Sequence, residues 1–109
     1  VNIPRDYYAM NPGIIDVDYS SFNYFPPLDG GDANKYMLSI FNSKLNKIKG
    51  PVDTRKHDVL IFYIPNEKVF HVGVCSDFDK FYHQKAHHLS GEDFLDDKWQ
   101  KRIIRVYRP

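Results

Sequence analysis

The chain has 109 residues, 42% of them hydrophobic and 16% aromatic, which suits one domain with a modest core. Fifteen basic against fourteen acidic residues leave a formal charge of +1, so composition makes no electrostatic case for nucleic acid or anionic lipid. A single cysteine excludes an internal disulfide and a Cys-rich zinc site, and no apolar run approaches the ~18 residues of a membrane span.

In chain order, residues 4–10 read as the tail of a helix stopped by Asn11-Pro12-Gly13. Residues 14–31 read as irregular, punctuated by Pro26-Pro27 and Gly30-Gly31. Tyr19, Phe22, Tyr24 and Phe25 make that stretch an ordered loop packed on the domain, because disordered linkers are poor in aromatics. Asp32 is an N-cap candidate. Ala33, Met37, Ile40, Phe41, Leu45 and Ile48 then recur at helical spacing, which predicts a helix over 33–49 closed by Gly50-Pro51. The run from Asp58 through Val59-Leu60-Ile61-Phe62 to Ile64 predicts a central strand covered on both faces. Pro65-Asn66-Glu67 turns the chain into a strand over 68–75, and Ser76-Asp77-Phe78-Asp79 leads into a second short strand through His83. A polar loop over 84–91, a short helix over 92–100 and a last strand over 102–107 complete the reading. The expected class is α+β, with helices packed on a small antiparallel sheet.

The 68–83 hairpin draws two histidines together. A three-residue loop centres the pairing on Asp77, setting Cys75 opposite Asp79, Gly73 opposite Phe81 and His71 opposite His83. Directly opposed residues share a face with Cβ atoms about 5 Å apart. Two imidazoles so placed make a base and the group that orients it. A loop one residue longer or shorter breaks this register.

Asp58-Val59-Leu60-Ile61-Phe62, His71-Val72-Gly73-Val74 and Lys80-Phe81-Tyr82-His83 resemble the NlpC/P60 cysteine-peptidase superfamily. The C-terminal part, with His83, His88-Leu89-Ser90, Asp93, Trp99 and Arg105-Val106-Tyr107-Arg108, is similar to the NlpC/P60 domain of bacteriophage tail-tip assembly proteins. Arg5-Asp6-Tyr7-Tyr8, with Gly13-Ile14 and Asp18-Tyr19 after it, resembles the stretch following the nucleophile in those domains. The resemblance spans roughly residues 5–108 and implies a single papain-like domain over 1–109. Its implied site is a thiolate at a helix start, His71 as catalytic base and His83 as the residue that orients it, with no cofactor and no metal. It also implies a location in the virion tail after synthesis in the host cytoplasm. Other tail-tip proteins and bacterial peptidoglycan are the implied partners, with no nucleic acid and no membrane span.

Two departures matter. The match places the family's catalytic Cys just before Val1, and its Pro-Gly ahead of the strand Asp is Lys56-His57 here. Asp18-Tyr19-Ser20-Ser21-Phe22 echoes an Asp-Cys-Ser nucleophile motif with Tyr19 in the Cys position, but Pro26-Pro27 follow too soon for a long helix. Cys75 shares the face of His71 by strand alternation. On a strand it lacks a helix dipole, and the usual fate of a lone Cys is a small buried hydrophobe. His71, His83 and Cys75 also make a conceivable zinc set, while His87-His88 fit a polar loop lining a cleft. Trp99 reads as a core anchor for the last strand.

Two function classes stand open. One is a tail assembly component that keeps the peptidase fold without its nucleophile, which the chain as written favours. The other is an active cysteine endopeptidase cleaving peptidoglycan stem peptides during phage entry. A cellular enzyme of the same family is a weaker third.

Overall fold

The computed structural model describes residues 4, 7, 8, 10, 30–48, 54–84 and 90–109. Helix α1 (Gly30–Lys44) is followed by strands β1 (Asn46–Ile48), β2 (Val59–Phe62), β3 (His71–Asp77), β4 (Lys80–Gln84) and β5 (Ser90–Phe94). A short helix α2 (Asp97–Gln100) then leads into β6 (Ile103–Arg108). The strands form one six-stranded sheet in the order β1-β6-β2-β3-β4-β5, and every pairing is antiparallel. The domain is α+β. Among the described residues, no helix is long and apolar enough to cross a membrane.

Strand β2 is buried at every position, as its unbroken apolar run requires of a strand covered on both sides. Its odd residues, Val59 and Ile61, join Val74, Tyr107, Tyr7, Tyr8, Met37, Phe41 and Leu45 in one cluster beneath α1. Its even residues, Leu60 and Phe62, join Cys75, Phe81, Leu95 and Val106 on the other face, with Ile48, Trp99 and Ile103 packed against them. Period-2 alternation thus splits the core into two layers. Side-chain hydrogen bonds tie α1 to the sheet. Tyr107 Oη donates to Asn42 Oδ1 at 2.9 Å. Asn34 donates from Nδ2 to Lys68 O at 3.0 Å and accepts from Phe70 N at 2.8 Å, fixing the approach to β3.

Several expectations need correction. Helix α1 starts at Gly30, inside the stretch read as irregular, and Asp32 lies in its first turn. It ends at Lys44, and Asn46–Ile48 pairs with β6 instead. Ile48 fits the helical spacing but packs on the opposite face of the sheet from Met37, Phe41 and Leu45. A strand, β5, runs through what read as the end of a polar loop and the start of a helix. It is an edge strand held by its backbone ladder to β4, and Ser-Gly-Glu-Asp has little strand propensity of its own. Helix α2 is one turn only, capped by Asp96, whose Oδ1 accepts from Trp99 N at 3.0 Å. Pro4, Tyr7, Tyr8 and Met10 have helical backbone. The stop at 11–13, the aromatic stretch through Phe25 and the Gly50-Pro51 close lie outside the described residues.

The β3–β4 register also differs from the three-residue loop. Asp77 pairs with Lys80 across the turn Phe78-Asp79, while Cys75 pairs with Phe81 and Gly73 with His83. Ser76 is therefore the extra residue of a β-bulge. Its hydroxyl donates to Glu92 Oε2 at 2.6 Å.

Candidate active site

His71 opens β3 and His83 lies near the end of β4. They are diagonal neighbours, not directly opposed, because Gly73 is the residue across from His83. Alternation puts both on the Phe62–Phe81 face, and the rings meet edge to face at 4.9 Å between centroids. His71 Nε2 and His83 Nδ1 are 2.7 Å apart. On its far side His83 Nε2 lies 2.7 Å from Asp93 Oδ2. Asp93 comes from β5, where its partner across the ladder is Phe81. The three side chains form one line, His71–His83–Asp93, across three adjacent strands.

The hydrogen-bond donors can be assigned from the end of this line. A carboxylate only accepts, so His83 Nε2 carries a proton toward Asp93. In a neutral His83, Nδ1 is then the acceptor, and His71 must donate to it from Nε2. That leaves the lone pair of His71 on Nδ1, which has no hydrogen-bond partner among the described residues. Burial, then His83, then Arg102 push the His71 pKa down from 6.5 to about 4. The ring is neutral across the physiological range and holds a base lone pair at Nδ1.

Aromatic packing keeps the line in place. Phe81 stacks on His83 at 4.5 Å and 29°. The Trp99 indole lies 5.7 Å from His71 and 5.1 Å from His83. It also meets Phe62 and Phe81, so Trp99 is both the core anchor expected of it and a wall of the site. Gly73 clears the space between. A Cβ there would sit 2.9 Å from Phe81 Cδ2 and 2.9 Å from Tyr82 O. His83 is only 3% exposed, whereas His71 is half-buried and the Asp93 side chain is 38% exposed.

No family model matches the chain. Vitellogenic carboxypeptidase of Aedes aegypti is 30% identical over 89 residues, or 77% of this chain and 19% of that protein. The chain thus spans about a fifth of the relative it matches.

Cys75 is not placed as a nucleophile. It is buried, its Sγ donates to Asp77 O at 2.9 Å, and burial pushes its thiol up to about 11. Nor does it combine with the histidines: among the described residues, no group of three His, Cys, Asp or Glu side chains is arranged to hold a metal. His87, His88 and Tyr19 lie outside the described residues. Asp93 is the residue that sequence reading missed as a site member. Its signal was there in alternation, once 90–94 is treated as a strand paired with β4.

A second polar cluster lies at the start of β2. Asp58 is fully buried. Arg108 donates from Nε to its Oδ1 and from Nη2 to its Oδ2, both at 2.9 Å, and Arg55 N donates to Oδ2 at 2.8 Å. Beside it, His57 has a φ of 80°, the left-handed region that glycine favours. Two tyrosines hold it there. Tyr7 Oη lies 2.6 Å from His57 Nδ1, and Tyr8 Oη donates to His57 O at 2.7 Å.

Proposed function

We propose that this chain is the histidine-bearing part of a papain-like NlpC/P60 cysteine-peptidase domain, set in the tail tip of a bacteriophage. Its substrate would be an amide bond of peptidoglycan stem peptides. The observation that carries the reading is the His71–His83–Asp93 line, which leaves His71 Nδ1 as a base with nothing opposite it among the described residues. In this reading a cysteine just ahead of Val1 in the chain order of the family supplies the thiol. His71 Nδ1 takes the thiol proton, the thiolate attacks the amide carbonyl, and the imidazolium returns the proton to the leaving amine. His83 and Asp93 hold the ring and spread the charge formed on it. The low pKa of His71 keeps its ring unprotonated at neutral pH. The tail setting rests on the sequence resemblance at His83, Asp93, Trp99 and Arg105-Val106-Tyr107-Arg108.

A second reading keeps the fold and the tail setting and drops the hydrolysis. Phe78 at the hairpin tip is 77% exposed and Phe94 on the edge strand 64%, which favours contact with other tail proteins.

The protein isolated from its native source separates the two. Its N-terminal peptide is sequenced, and the protein is incubated with purified peptidoglycan while released peptides are followed by mass spectrometry. Release stopped by thiol alkylation and by His71→Ala supports the peptidase, since the buried Cys75 is a poor alkylation target. Absent release, or release indifferent to His71→Ala, overturns it and leaves the assembly role.

A further inference from the structure

The two edges of the sheet carry opposite charge. β1 is the outermost strand on one side and β5 on the other. Neither holds a proline, so each presents the outward N–H and C=O groups of an edge strand. On β1 the exposed Lys47 follows Lys44 at the end of α1. On β5 the exposed Glu92 stands beside Asp93, with Asp96 and Asp97 just beyond the strand. Among the described residues Lys47 has no carboxylate partner and Glu92 no cation; Glu92 accepts from the Ser76 hydroxyl. The two charges also share a face. Lys47 pairs with Tyr107 and Glu92 with Tyr82, and both tyrosines point to the side of the sheet that α1 covers, Tyr82 beside Val74 and Tyr7. Six strands, each antiparallel to its neighbour, leave the two outermost running in opposite directions.

Charged side chains on edge strands keep sheets from pairing with copies of themselves, and here they do so for like edges. β5 laid antiparallel on β5 about its centre sets Glu92 against Glu92, and β1 on β1 sets Lys47 against Lys47, both repulsive. The same charges attract unlike edges. We propose that β1 of one copy adds antiparallel to β5 of the next, so that the sheet runs on from copy to copy, head to tail. With Lys47 opposite Glu92, Ile48 comes over Gly91, which has no side chain to obstruct it, and Asn46 comes opposite Asp93. Phe94, 64% exposed, then lies beside Leu45 of the next copy. Each added copy brings one edge of each sign, so the contact repeats until it closes into a ring or extends as a filament. It depends on neither hydrolysis nor a place in a phage tail.

Sedimentation velocity of the full protein over a range of concentrations, at low and at high salt, tests this. The expected result is a sedimentation coefficient that rises with concentration at low salt and rises less at high salt, where exposed charges are screened. Glu92→Lys and Lys47→Glu should each weaken association by about tenfold, because attraction between directly opposed side chains becomes repulsion. Both positions are exposed, and each variant is first shown to unfold cooperatively. An equimolar mixture of the two variants should associate again, since each then offers the edge that the other lacks. A protein that stays monomeric at every concentration, association indifferent to either reversal, or a mixture no better than its components overturns the proposal. So does a dimer that grows no further and answers to only one of the reversals, which is the behaviour of symmetric pairing through a single edge.

Discussion

Asp58 precedes β2 and His71 opens β3, yet the two polar clusters on these neighbouring strands are finished differently. Both carboxylate oxygens of Asp58 are met, by the Arg108 guanidinium and by the Arg55 N–H. The cluster is closed and its geometry serves to pin the end of β6 to the start of β2. The His71–His83–Asp93 line is closed at the carboxylate end and open at the other, where His71 Nδ1 faces no partner among the described residues. A buried charge satisfied on every side stabilises; an ordered base left open at one atom is prepared to act on something else.

Breaking the closed cluster should have the largest effect on stability. Asp58→Ala removes a fully buried carboxylate with its bidentate arginine, and is expected to lower stability by about 3 kcal/mol, at the lower end of the range for a broken buried pair. Urea denaturation measures it; a loss below about 1 kcal/mol would mean that this cluster does not pin β6 to β2. Gly73→Ala comes next. The added methyl must push apart Phe81 and the Tyr82 carbonyl, an overpacking of about 1–3 kcal/mol that a thermal melt will show. Because Gly73 faces His83, Trp99 fluorescence should change as well.

The open cluster should leave its mark in pH dependence. The folded His71 titrates near 4 against an ordinary 6.5. Between those values the unfolded chain binds a proton that the folded one does not. Stability therefore falls as pH falls from about 6.5 to about 4, and this contribution levels off below that window. His57, whose pKa is also lowered by burial first, adds to the slope in the same direction. His71→Asn should flatten the larger part of it in denaturant curves taken across the window, and an unchanged slope would remove His71 from the account. The smallest effect is expected at His57→Gly. Relief of the left-handed backbone, about 1 kcal/mol, is offset by loss of the Tyr7 hydrogen bond, also about 1 kcal/mol. The net change in Tm should be small, whereas Tyr7→Phe should lose the bond without the relief.

Much of this was legible in the sequence because the relevant residues announce themselves. Val59-Leu60-Ile61-Phe62 is an apolar run of strand length, and the Val69–Cys75 stretch carries β-branched and aromatic residues. A hairpin between His71 and His83 was legible and brings the two rings into contact, but the expected direct opposition was not met: the two-residue turn and the bulge at Ser76 make them diagonal neighbours. What escaped has a common cause. β1 and β5 are edge strands of polar composition, Asn-Lys-Ile and Ser-Gly-Glu-Asp-Phe, and are held by ladders to β6 and β4 that no local pattern encodes. Missing β5 meant missing Asp93. His57 illustrates the reverse: a φ of 80° is one that glycine favours, and it persists with a histidine because Tyr7 and Tyr8 hold it.

The bulge at Ser76 sets a rule for how this hairpin can change in length. Were Ser76 drawn into the ladder opposite Phe81, Cys75 would come opposite Tyr82 and His83 would turn to the face of Val72 and Val74. One residue inserted into the paired part of either strand, with no bulge to absorb it, would likewise dismantle the histidine line while leaving the ladder hydrogen-bonded. Deleting Ser76 would instead make Asp77–Lys80 and Cys75–Phe81 consecutive pairs and leave Gly73 opposite His83. Among natural or engineered variants of this hairpin, those that keep Cys75 opposite Phe81, with the bulge or without it, are the ones expected to retain the site.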